Sequence, residues 1–124
     1  MATLESIRFL NNQLVWQPSI VGRDGKDIGV LELFVSESPH EVEKALTLLL
    51  RGVEVQGADL QRTLTKEALR LRHEASDLSD ALRQSRSTRE AVLNGQRLQS
   101  VMLLLRTLES YQSFYTKRTG TSGD

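Results

Sequence analysis

The chain has 124 residues, enough for one domain with a modest core. Hydrophobic residues make up 39% and charged residues 26%, which excludes a disordered or membrane-embedded composition. Sixteen basic and sixteen acidic side chains cancel, so no net field draws the chain toward nucleic acid or acidic lipid, and little charge repulsion opposes association.

There is no cysteine, which excludes disulfides and thiolate metal sites and is compatible with a reducing compartment. No long apolar run follows a basic region near Met1, so no signal peptide is expected. The longest apolar cluster, residues 101–105, is far too short to span a bilayer. These features lead to the expectation of an intracellular, cytoplasmic protein.

Residues 1–37 read as a small antiparallel β-meander. Three segments rich in Ile, Val, Phe and Trp, at 6–10, 14–21 and 28–35, are divided by turn residues. Asn11 and Asn12 suit the first turn, and Asp24-Gly25 is a strong hairpin signal for the second. Pro18 removes a ladder donor from the middle segment, which marks that strand as an edge, a bulge or two pieces. In the third segment Ile28, Val30, Glu32 and Phe34 alternate with Gly29, Leu31, Leu33 and Val35. Both rows are mostly apolar, so this strand is expected to be central or covered on both faces.

Residues 38–57 hold a first helix and a connector. Ser38-Pro39-His40-Glu41 has the pattern of a capped helix start with proline in the first position and a capping box. Val42, Ala45, Leu46, Leu49, Leu50 and Val53 form its apolar row, and Gly52 and Gly57 bracket its end.

Residues 58–118 are almost all helix formers. A heptad step runs through Leu64, Leu71 and Leu78, with Ala68, Ala75 and Leu82 on the next row, a pattern suited to close helix pairing. The polar run 84–90 interrupts it, and Ser87 with Glu90 has capping-box spacing. Asn94-Gly95 is a second candidate break. Leu98, Val101, Leu105, Leu108 and Tyr115 resume the row. The favoured arrangement is two antiparallel helices joined near residues 85–87, against one continuous helix that pairs between chains. Residues 119–124 read as a flexible tail. The fold class is therefore α+β, with a β-meander, a short helix and a long helical hairpin or coiled coil in a single domain over residues 1–118.

No constellation points to catalysis. No Gly-rich phosphate loop is present, and His40 and His73 are 33 residues apart. His73 and Asp77 lie one helical turn apart, a spacing more typical of a surface ion pair than of a metal site. No catalytic, cofactor-binding or metal-binding residue is assigned. Arg83, Arg86, Arg89, Arg97 and Arg106 face a single acid, Glu90, over residues 83–106. The first four are candidate phosphate contacts, although no aromatic residue interleaves with them for base stacking. Leu98, Val101, Leu105, Leu108, Tyr111, Phe114 and Tyr115 are the candidate partner-binding residues, because an apolar row ending in aromatics can anchor another chain.

The opening Thr3-Leu4-Glu5-Ser6-Ile7-Arg8-Phe9 resembles the start of the methylthioribose-1-phosphate isomerase family. That resemblance implies a β-hairpin leading into a helix that ends in Arg-Gly-Ala-Pro. Here the helix ends in Arg51-Gly52-Val53-Glu54, Ser85-Arg86-Ser87-Thr88 is only loosely similar to a later motif, and no counterpart of the family's catalytic domain occurs in these residues. No site is carried over from it. The residues point to a non-catalytic assembly subunit or adaptor that works through helical seams with homo- or hetero-oligomeric partners. The alternative is a nucleic-acid-binding module using segment 83–106.

Overall fold

The structure, a computed structural model, describes residues 7–10, 13–35 and 38–122, with side chains described as far as Phe114. It has the expected α+β architecture. The first apolar segment forms β1 (Ile7–Leu10), the second β2 (Gln13–Trp16) and β3 (Ser19–Val21), and the third β4 (Asp27–Val30) and β5 (Leu33–Val35). The order in one sheet is β1-β2-β5, and β3 pairs with β4 in the other, all antiparallel. The register of β2 and β5 carries on into β3 and β4 as far as Ile20, and shifts by one residue at Val21. Trp16 faces Leu33, Ser19 faces Val30, and between them the Leu31 N–H donates to the Pro18 carbonyl at 3.0 Å. The two sheets are thus one hairpin bent at Pro18, where the missing N–H interrupts the ladder. Its far turn closes through Gly25, whose φ of +85° requires glycine, and through the Asp24 carboxylate accepting from the Lys26 N–H at 3.0 Å.

Pro18 divides the second segment into two pieces, one of the three outcomes its missing donor allowed: β2 lies between β1 and β5 with Val15 and Trp16 fully buried, and β3 pairs with β4. One expectation about the strands is corrected. Among the described residues the third segment is not central: β4 and β5 each pair on one side, and Ile28, Val30 and Phe34 of the outward row are exposed. Residue 6 and the Asn11-Asn12 turn lie outside the described residues.

Three helices follow. α1 (Pro39–Val55) starts with proline in the first position, but Ser38 makes no side-chain cap bond, so the expected capping box does not form. The helix runs past Gly52 and stops where Gly57 takes a φ of +61°. Gly52 instead serves close packing, since a Cβ there would lie 2.9 Å from Leu31 Cδ1. α2 (Leu60–Arg83) is capped by Asp59, whose carboxylate accepts from the Arg62 N–H at 3.0 Å. α3 (Thr88–Ser122) begins at the expected cap, with the Ser87 hydroxyl accepting from the Glu90 N–H at 3.1 Å. Asn94-Gly95 does not break α3, because the Asn94 side chain is turned back to donate to Ser85 Oγ at 3.1 Å and the helix continues. α3 also passes through residues 119–122, where a tail was expected. A helix already under way gains one hydrogen bond for each residue it adds.

The helices form the antiparallel hairpin. Gln112 Nε2 donates to Thr65 Oγ1 at 3.0 Å near one end, Arg72 pairs with Glu109 in the middle, and Asn94 reaches the Ala81 carbonyl near the turn. Leu64, Ala68 and Leu71 of α2 meet Val101, Leu104, Leu105 and Leu108 of α3 in one core with Trp16, Ile20, Leu46 and Leu49. Among the described residues, no helix is long and apolar enough to cross a membrane.

α2 also closes the outer edge of β3. The Val21 N–H donates to Thr63 Oγ1 at 3.0 Å, the Asp59 N–H donates to the Val21 carbonyl at 2.8 Å, and the Ser19 N–H donates to Glu67 Oε2 at 3.4 Å. Asp59, Thr63 and Glu67 are spaced by four residues and so share one helix face. Glu67 is fully buried and does the most: its other oxygen accepts from Trp16 Nε1 at 3.0 Å, and Arg70 pairs with it at 3.3 Å while also donating to Ser19 Oγ. Side chains of a helix here replace the strand that would otherwise complete the ladder.

Glu67→Ala strands buried donors on Trp16 and Ser19, so it should cost about 2–4 kcal/mol, read as a lower urea midpoint with red-shifted Trp16 emission. Glu67→Gln, which keeps an acceptor for the indole, should cost less. Gly95 is helical and a Cβ there meets nothing within 4 Å. Gly95→Ala should therefore stabilise by about 0.5–1 kcal/mol, raising Tm by a few degrees in a thermal melt.

Candidate interaction surface

The apolar rows that invite a partner in the sequence are largely used within the chain. Val101, Leu105 and Leu108 are buried in the core against α2, so the seam they form belongs to the intramolecular hairpin. The physical reason is the matched length of the two rows, which lets the small Ala68 and the leucines of α2 close over α3. Leu98 is half-buried, and Tyr111 is half-buried at the margin of the core. Phe114 is exposed, and the side chain of Tyr115 lies outside the described residues.

The arginines do not form one track. Arg83 lies at the end of α2 and pairs with Asp80; Arg86 and Arg89 are exposed at the turn and the start of α3. Arg97 lies eight residues beyond Arg89, roughly 12 Å along the helix, and stacks its guanidinium 4.8 Å from the centre of the Phe9 ring of β1. It is thus drawn into packing against the sheet. His73 and Asp77 are exposed on α2, and among the described residues no group of three acidic or histidine side chains gathers as a metal set.

One apolar surface that the fold leaves open lies on the hairpin and α1. Ile28 is 47% exposed, Val30 53% and Phe34 55%, all on the outward row of the third segment. Leu48 of α1 is 46% exposed, and Val55, seven residues on and hence on the same helix face, is exposed too. Two shallow grooves flank Leu48 and Lys44. One, of about 300 Å³, runs between α1 and α3 from His40 past Thr47 and Arg51 to Tyr111. The other, of about 270 Å³, lies between α1 and β5. Glu32, Leu33 and Phe34 form one wall, and Glu41, Lys44, Ala45 and Leu48 the other. Among the described candidate partner residues, Tyr111 is the one that lines either of these two grooves.

Sequence reasoning missed Phe34, Lys44 and Leu48. The signal for Leu48 was its place off the apolar row of α1: a leucine between Leu46 and Leu49 that the 3.6-residue period does not carry inward. The signal for Phe34 was the second apolar row of its strand, which was read as evidence of burial.

A scan of protein-family models, a search of curated proteins and a search of solved structures returned no match. The isomerase resemblance of the opening residues gains no support from them.

The placement separates two leucines that look alike in the sequence. Leu71→Asp puts a carboxylate into the hairpin core and should abolish cooperative unfolding or lower stability by about 4 kcal/mol or more. Leu48→Asp should change it by less than about 1 kcal/mol, with circular dichroism melts distinguishing the two.

Proposed function

We propose that the protein is a non-catalytic assembly module, a subunit or adaptor that binds another protein through the face formed by β4, β5 and α1. The observation that carries this reading is the position of its exposed apolar side chains. Ile28, Val30, Phe34, Leu48 and Val55 are half of the ten large apolar residues exposed among those described, and they lie on the open strand and the adjoining helix. Apolar side chains gathered beside grooves, with cations and carboxylates around them, are the usual make-up of a protein-binding face.

The role of the helices in this reading is that of a frame. The α2–α3 hairpin supplies the core on which α1 and the sheet are mounted, and the helical seams expected to bind a partner are internal. The reading also places the protein in the cytoplasm, in keeping with its lack of cysteine. The arginines at the helical turn are left as a solvated, basic tip; their division between the turn and β1 weighs against a nucleic-acid-binding role.

The test is the double variant Phe34→Asp with Leu48→Asp. Tagged protein isolated from its native cells should migrate as a species larger than its 14.0 kDa chain. The double variant should keep its circular dichroism spectrum and melt yet migrate as the free chain. A wild-type protein that is strictly monomeric and brings down no stoichiometric partner contradicts the proposal, as does a double variant that assembles normally.

A further inference from the structure

The third strand segment carries a conflict between its sequence and its place in the fold. Both of its side-chain rows are apolar, the pattern of a strand covered on both faces. In the structure its outward row, Ile28, Val30 and Phe34, is about half exposed and its outer edge is unpaired among the described residues.

The register identifies the unpaired backbone groups. Leu31 donates to Pro18, so these two form a hydrogen-bonded pair, and by alternation Leu33 and Val35 turn their backbone groups toward β2. The N–H and C=O groups of Val30, Glu32 and Phe34 then point away from the hairpin. Among the described residues, no backbone or side-chain bond reaches the N–H or C=O of Glu32 or Phe34. The opposite edge, at β3, is closed by Asp59, Thr63 and Glu67 of α2. One edge of this hairpin is covered by side chains dedicated to it, and the other lies beside a groove. Unprotected edges of this kind pair with further strands.

We infer that the outer edge of β5 receives an extended segment of a partner protein, which adds as a further strand in the groove between β5 and α1. This rests on the assembly reading above and names the form of the partner. A helix cannot serve as the occupant, since its own hydrogen bonding leaves its backbone groups unable to meet those of Glu32 and Phe34. An added strand satisfies them, and its alternate side chains fall on the two sides of the sheet. The inward ones cover Leu48 and Ala45, and the outward ones extend the apolar row beside Phe34.

Charge in the groove specifies one side chain of the partner. Lys44 is the only cation among the groove residues and makes no described ion pair. Of the groove's two carboxylates, Glu32 already accepts from Arg8 at 3.3 Å and from Gln17 at 2.9 Å, and Glu41, one helical turn before Lys44, makes no described ion pair with it. The groove therefore fits a segment of alternating apolar residues with one inward carboxylate placed to meet Lys44.

The experiment uses the full chain labelled with ¹⁵N and capped seven-residue peptides that alternate valine and threonine, with aspartate or lysine at one inward-facing position. The aspartate peptide should bind, shift the Phe34 and Leu48 amide signals and slow hydrogen exchange at the Phe34 N–H at least tenfold. The lysine peptide should bind at least fivefold more weakly, and Lys44→Glu should reverse that preference. N-methylation of the peptide's edge-facing amides should abolish binding. Shifts confined to another surface, binding without protection of Phe34, or a charge preference unmoved by Lys44→Glu would each overturn strand addition. So would sedimentation showing that the edge is occupied by a second copy of the chain. The assembly reading fails separately, on the Phe34→Asp and Leu48→Asp variant in native cells. A partner lost with that variant, but binding with no slowing of Phe34 exchange, keeps the assembly module and rejects the added strand.

Discussion

A buried carboxylate ties the two halves of this protein together. Glu67 lies in the first third of the helical hairpin's first arm, yet its oxygens serve the sheet: Trp16 Nε1 and the Ser19 N–H both donate to it, and Arg70 supplies the compensating charge. A fully buried carboxylate is costly without such partners. With them it fixes which strand edge α2 covers and at what height along the helix. That register sets the rest of the arrangement. Thr63 and Asp59 fall one and two turns earlier and complete the closure of β3, and the leucine row of α2 is turned toward α3.

Closing β3 with α2 determines what is left open. A sheet this small has few edges, and the helices available to cover them are all engaged. α2 lies along β3, α3 completes the hairpin, and α1 packs beneath the sheet with its row from Val42 to Val53 buried. The outer edge of β4 and β5 receives no element among those described. The flank of α1 beside it carries Leu48, and Gly52 allows Leu31 to approach the helix closely. The candidate interaction face is thus a consequence of how the core is assembled.

Much of this was legible in the sequence. The three apolar segments in 1–37 correspond to the three arms of the meander, because alternation and turn residues are local signals. Ser87 and Glu90 marked the start of α3, since a capping box acts within one helical turn. The matched rows ending in Leu82 and beginning at Leu98 gave the hairpin. The open and misread points concern relations between distant residues. Pro18 left an edge, a bulge or two pieces open, because proline reports only a missing donor; the choice of two pieces, with β2 central, is made by β1 and β5 on either side of it. The two apolar rows of 28–35 suggested burial, but pattern reports what a strand would bury, not whether its own chain supplies the cover. Val101, Leu105 and Leu108 looked available because a row cannot tell whether its partner lies earlier in the same chain or on another molecule. Glu67 carries no local sign of burial: both Glu67 and Glu74 stand on α2 among helix formers, and only the distant Trp16 and Ser19 set Glu67 apart.

One edge of this hairpin is closed by side chains of α2, and the other is unpaired among the described residues. Native-state hydrogen exchange of the isolated protein tests it directly. Ser19 and Val21 amides, held by Glu67 and Thr63, should exchange only through unfolding of the whole domain, with protection near the global stability. The Phe34 amide, on the same sheet and facing the groove, should exchange orders of magnitude faster. Phe34 protected as strongly as Val21 in the isolated chain would mean that the edge is already covered and would contradict the account.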